Sequence, residues 1–109
     1  MDLIERWATV AWLWEGFLEL RFPCRGGKEV AGICLTLLDL EIAGCVSTWL
    51  DNGGSLDWKR REILRHRITR LEEILPLLAG AELRYFEHLY QVAVLAARLD
   101  DSSDGARSQ

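Results

Sequence analysis

Proline is scarce in this chain, two residues in 109, and so are histidine (two), cysteine (three) and methionine (one). With so little proline the apolar segments run on at helical length, which argues for an all-α domain. Three cysteines, an odd number in a chain able to build a core, argue against a disulfide scaffold. They point to free thiols in a reducing compartment, hence to a cytoplasmic protein. Cys34 and Cys45, eleven residues apart on one expected helix, would stand about 16 Å from each other along its axis, beyond disulfide reach.

A strong excess of one charge is missing as well. The net charge of −4 argues against a general polyanion binder. The imbalance is local: residues 1–54 hold four basic and eight acidic side chains, residues 55–109 nine of each. Any nucleic-acid contact would therefore need a local patch.

Catalytic motifs are thin. No Cys-x-x-Cys pair supports structural zinc. A di-iron bundle needs Glu three residues before each histidine, and Ile63 and Tyr85 stand there. Neither Gly26-Gly27 nor Gly53-Gly54 follows a strand, as a phosphate loop requires. Ser47 and Ser55 lack any local nucleophile signature. Glu62 and His66 share a face one turn apart, a spacing common by chance, and His66 and His88 both fall on polar arcs. No catalytic residue, metal ligand or cofactor emerges, and the balance leans away from an enzyme.

No leader or membrane span is expected. The opening Met-Asp-Leu-Ile-Glu-Arg lacks the basic start of a signal peptide, and Glu15 and Glu19 interrupt the apolar run after it. Val30–Leu50 is long enough to cross a bilayer, but Asp39 and Glu41 at its centre would cost roughly 5–7 kcal/mol. Its nine Leu, Ile and Val residues return only about 3–5 kcal/mol.

The composition, half hydrophobic and 28% charged, is that of one globular domain. Four helices are expected, over about 2–21, 29–50, 56–75 and 81–99. Pro23, Asn52-Gly-Gly54 and Pro76 with Gly80 separate them, and Ser55 or Asp57 can cap the third. Short connectors make consecutive helices antiparallel neighbours, so residues 1–99 should form a single-domain antiparallel four-helix bundle. Residues 100–109 read as a disordered polar tail.

Three departures from a simple bundle carry the functional expectations. The first helix has a core stripe of Leu3, Trp7, Val10, Trp14 and Leu18, and nearly opposite it a second apolar stripe of Trp12, Leu13, Gly16 and Leu20. A second stripe suits a docking surface, with Trp12 as anchor and Gly16 permitting close approach. In the second helix, apolar almost all round, Glu41 falls among apolar positions and needs a cation. Arg67 or Arg60 of the third helix should supply it as a registry-fixing ion pair, while Asp39 on a polar strip reads as solvated. In the third helix six basic residues fall in the twelve positions 59–70, against one acid. Lys59, Arg61, Arg65 and Arg70 are the candidate phosphate contacts, and Trp58 could stack on a base or, more simply, under Arg61 or Arg65. They scatter around the wheel, while Arg60 and Arg67 are expected to point inward.

These features favour a small helical protein acting by association, with itself or with another chain, as an adaptor, regulator or antitoxin- or immunity-type inhibitor. Two other readings are a nucleic-acid-binding regulator using residues 59–70, and an enzyme or ligand-binding bundle with a pocket near Glu41, Cys34, Cys45 and Thr48.

Overall fold

The computed structural model describes the backbone of residues 2–107 and the side chains through residue 97. Four helices form an all-α domain: α1 (Leu3–Leu18), α2 (Leu35–Asp51), α3 (Trp58–Ile74) and α4 (Gly80–Arg107), with a 3-10 turn over Leu75–Leu77. The α4 backbone continues past Leu99, where the sequence pattern ends it. The expected disorder of 100–109 concerns residues whose side chains, and at 108–109 the backbone too, lie outside the described residues.

Local chemistry sets the helix ends. Asp2 and Asp57 cap α1 and α3, each carboxylate accepting from the backbone N–H three residues on, Glu5 and Arg60, at 2.8 Å. The hydrogen bond from Arg60 N–H holds the Asp57 carboxyl below its ordinary value. At the end of α2, Gly53 and Gly54 take positive φ, and the Gly54 N–H reaches back to the Trp49 carbonyl at 2.8 Å. Gly54 is doubly constrained, since a Cβ there would lie 3.0 Å from Leu3 Cδ1 and 3.2 Å from Trp49 Cζ2.

The second helix starts six residues later than the sequence pattern suggests. Glu29–Val30 and Ile33–Cys34 form a two-residue antiparallel hairpin, β1 and β2, pairing Glu29 with Cys34 and Val30 with Ile33. Ala31 and Gly32 turn it with φ of 51° and 78°, positive at both central residues as a type I′ hairpin turn demands. The left-handed conformation of Ala31 costs about 1–2 kcal/mol. Cys34 is consequently the N-cap residue of α2, not a member of the Cys45 face.

Cross-helix contacts fix the topology. Arg67 meets Glu41, and the Cys45 thiol meets the Arg60 carbonyl, so α2 and α3 are antiparallel. Tyr90 donates to Glu72 at 2.6 Å, which sets α3 against α4. On α1, Leu13 faces His88 and Phe17 faces Tyr85, so α1 runs against α4. Trp7 Nε1 donates to the Leu50 carbonyl at 2.8 Å, tying the start of α1 to the end of α2. Helix α3 packs against both α2 and α4, α2 packs against α4, and α1 lies mainly on α4.

The core is drawn mostly from α2, α3 and α4, with Ile42, Val46, Trp49, Leu64, Leu71, Phe86 and Leu89 fully enclosed. On α1 only Val10 and Phe17 are buried. This corrects the expected core stripe: Leu3, Trp7 and Leu18 are exposed, and Trp14 is half-buried. The buried face is turned toward Phe17, whose ring lies 4.9 Å from Tyr85 and 6.0 Å from His88. Aromatic contacts on α4 thus set the rotation of α1. Helix α2 is also less enclosed than its composition suggests, with Leu37 and Leu40 exposed.

Candidate functional site

Trp12, Glu15, Gly16 and Glu19 fall at i, i+3, i+4 and i+7 along α1 and so share one face. With Leu13 and with His88 of α4 they line a cavity of about 290 Å³. Trp12 is 72% exposed at its edge. His88 Nε2 donates to the Leu13 carbonyl at 3.1 Å, which orients the imidazole beside α1. A Cβ on Gly16 would sit 3.7 Å from His88 Cε1, so the open side of this glycine is filled by the chain's own histidine. His88, expected on the surface, is therefore an inter-helix residue.

The second apolar stripe expected on α1 is divided by this arrangement. Trp12 faces solvent, Leu13 is partly buried against the core and Gly16 lies beside His88. Leu20 follows the end of α1, is 41% exposed, and does not line the cavity. Ile4, 80% exposed, and Leu18, 61% exposed, add to the uncovered apolar surface of α1. Sequence pattern alone misses Ile4, because it lies between the two stripes, and misassigns Leu18, because the helix is rotated toward Phe17. Glu15 and Glu19 look like mere interruptions of an apolar run, although their spacing from Trp12 already places all three on one face.

Around Glu41, Arg67 Nη2 lies 3.0 Å from the carboxylate and the pair is partly exposed. Arg60 does not share it. This arginine points outward and pairs with Asp57 at 2.7 Å, because the cap aspartate is within one turn on its own helix. A second cavity, about 450 Å³, opens beside the pair and is lined by the hairpin residues 31–34, Leu37, Leu38, Glu41, Arg67 and Arg70. Cys45 and Thr48, expected to share such a pocket, do not line it. Burial pushes the Cys45 thiol up, and the Thr48 hydroxyl donates to the Gly44 carbonyl at 2.9 Å. Burial raises the Cys24 thiol to about 11, with the nearby Glu82 carboxylate adding to the effect. Asp39, expected to be solvated, accepts from the Tyr85 hydroxyl at 2.9 Å. Burial holds its carboxyl above the ordinary value, and the same burial, with Asp39 beside it, raises the Tyr85 phenol.

The basic helix α3 is largely neutralised by its own acids. Arg65 pairs with Glu62 and Arg70 with Glu73, each at 3.1 Å and three residues apart. Lys59 and Arg70 lie on one flank of α3 and Arg61 and Arg65 on the other, so the four candidate phosphate contacts do not converge. Trp58 is exposed at the start of the helix. Among the described residues no three His, Cys, Asp or Glu side chains are placed to share a metal ion. No helix there is long and apolar enough to cross a membrane. Comparison with protein-family models, with curated proteins and with solved structures returns no match.

Proposed function

We propose that this protein acts by associating with another protein chain through the outer face of α1. The observation that carries this reading is Trp12, a large aromatic left mostly in water at the rim of a cavity. The exposed Ile4 and Leu18 on the same helix support it. An exposed apolar surface of this kind costs solubility unless a partner covers it, and tryptophan in a concave setting is a frequent energetic anchor of interfaces. Nucleic-acid binding by α3 has less support, since Arg60, Arg65 and Arg70 each hold a carboxylate of their own helix. A ligand pocket at Glu41 has less support too, because Arg67 already takes that carboxylate.

The test is Trp12→Glu. The substitution should abolish association, read as solution mass by light scattering and as partner capture, and leave helicity by circular dichroism unchanged. An unchanged mass together with unchanged capture rejects the proposal.

A further inference from the structure

The cavity on α1 has a chemical bias that goes beyond apolar docking. Its lining carries two carboxylates, Glu15 and Glu19, and no lysine or arginine. Five carboxylates elsewhere in the fold hold a cation: Glu41 with Arg67, Asp57 with Arg60, Glu62 with Arg65, Glu73 with Arg70, Glu82 with Lys28. Neither Glu15 nor Glu19 has an ion pair among the described residues. Arg6 lies more than two turns earlier on α1. Arg84, one turn before His88 on α4, does not line the cavity.

Two like charges at i and i+4 repel along a helix, and the repulsion is relieved when a cation stands between them. The face of an exposed indole attracts the same kind of group, through the negative quadrupole of its ring. Leu13 and Gly16 provide an apolar floor, and a volume of about 290 Å³ is at the small end of ligand sites, sized for a side chain and not for a cofactor.

We infer that the occupant of this face is a basic amphipathic segment of a partner protein, with one arginine or lysine side chain seated between Trp12 and the carboxylates of Glu15 and Glu19. The inference rests on the docking role proposed for α1 and specifies the partner's chemistry. The guanidinium or ammonium group would donate to the two carboxylates while its alkyl stem lies along the indole. Apolar side chains of the same segment would cover Ile4 and Leu18, which are exposed on α1 outside the cavity. Charge complementarity decides the partner's sign: an acidic segment would meet Glu15 and Glu19 with repulsion, and a purely apolar one would bury them unpaired.

The test uses two labelled helical peptides of identical leucine pattern, one bearing arginine and one bearing glutamate at the polar positions, titrated against the full chain by fluorescence anisotropy. The arginine peptide should bind, and more weakly as salt is raised. Trp12→Ala should weaken it about tenfold or more, and so should the double variant Glu15→Gln/Glu19→Gln. Glu29→Gln/Asp51→Asn removes the same charge outside the cavity and should change the affinity less than about twofold. Equal losses in the two double variants would show that only the overall field matters and would overturn the inference. So would equal binding of the glutamate peptide. In either case a loss in Trp12→Ala would leave docking on α1 standing. Binding of neither peptide overturns the inference. A dimer that Trp12→Glu dissociates, but that the arginine peptide does not displace, assigns the face to a second copy and overturns it as well. Binding unaffected by Trp12→Ala overturns both the inference and the docking role.

Discussion

Helices α1 and α2 are similarly apolar in sequence, yet α2 buries six side chains and α1 only two. The difference lies in their neighbours. α2 is flanked by α3 on one side and α4 on the other, so most of its circumference meets protein. α1 rests mainly on α4 and touches α2 chiefly at the Trp7–Leu50 hydrogen bond. A helix packed from one side can enclose only one stripe, whatever its composition. Apolarity in excess of the available neighbours then stays on the surface, where an association function can use it.

The largest expected effect sharpens this contrast with one substitution made twice. Trp49→Ala in α2 removes a fully enclosed indole and should destabilise the fold by about 3–5 kcal/mol. Trp12→Ala in α1 removes a larger share of exposed than buried surface and should change stability by less than about 0.5 kcal/mol. Urea denaturation of both variants measures the difference. A comparable loss from Trp12→Ala would mean that α1 is as integral as α2. Should Trp49→Ala fail to fold, Ile42→Val is a milder probe of the same core, at about 0.5–1.5 kcal/mol.

An intermediate effect is expected at the joint between α2 and α3. The Glu41–Arg67 pair is partly exposed on both sides, so solvent screens it, and a double-mutant cycle should return a coupling of about 1 kcal/mol or less. The same cycle on Glu41 and Arg60 should return nothing measurable, since Arg60 belongs to Asp57. A coupling there equal to that of Arg67 would contradict the assigned pairing.

Helix number, order and most breaks are legible in the sequence because caps and glycines act locally: Asp57, Asn52-Gly53-Gly54 and Pro76 fix their ends whatever the tertiary structure. The need of Glu41 for a cation is legible too, because a carboxylate among leucines demands a partner. The rotation of α1 is not, since six of its residues are tryptophan or leucine, spread widely around the wheel. The Phe17–Tyr85 contact that selects among them joins residues 68 positions apart. The hairpin at 29–34 is hidden in an apolar stretch that continues into α2; its only local sign is Ala31-Gly32 between two β-branched residues. The cavity on α1 is half visible. The spacing of Trp12, Glu15 and Glu19 lies in the sequence, whereas the approach of His88 depends on how α4 docks.

The smallest expected effect tests whether the interior near α1 is sealed as the aromatic packing implies. Asp39 projects from α2 toward Tyr85, whose ring also contacts Phe17 and Phe22. Burial raises its folded-state pKa, an effect that the hydrogen bond from Tyr85 only partly offsets. Because the folded chain holds this proton more tightly than the unfolded one, the ionised carboxylate is a standing cost above the folded pKa. That cost diminishes as pH falls through the folded pKa and is gone below the ordinary aspartate value of about 3.9. Asp39→Asn preserves an acceptor for the Tyr85 hydroxyl and removes the charge. It should therefore be more stable than the parent near pH 7, and the advantage should shrink as the pH falls toward about 4. Urea midpoints of the two proteins across that range measure it. An advantage independent of pH, or a loss at neutral pH, would show that water reaches Asp39 and that α1 covers this part of the bundle less tightly than its contacts indicate.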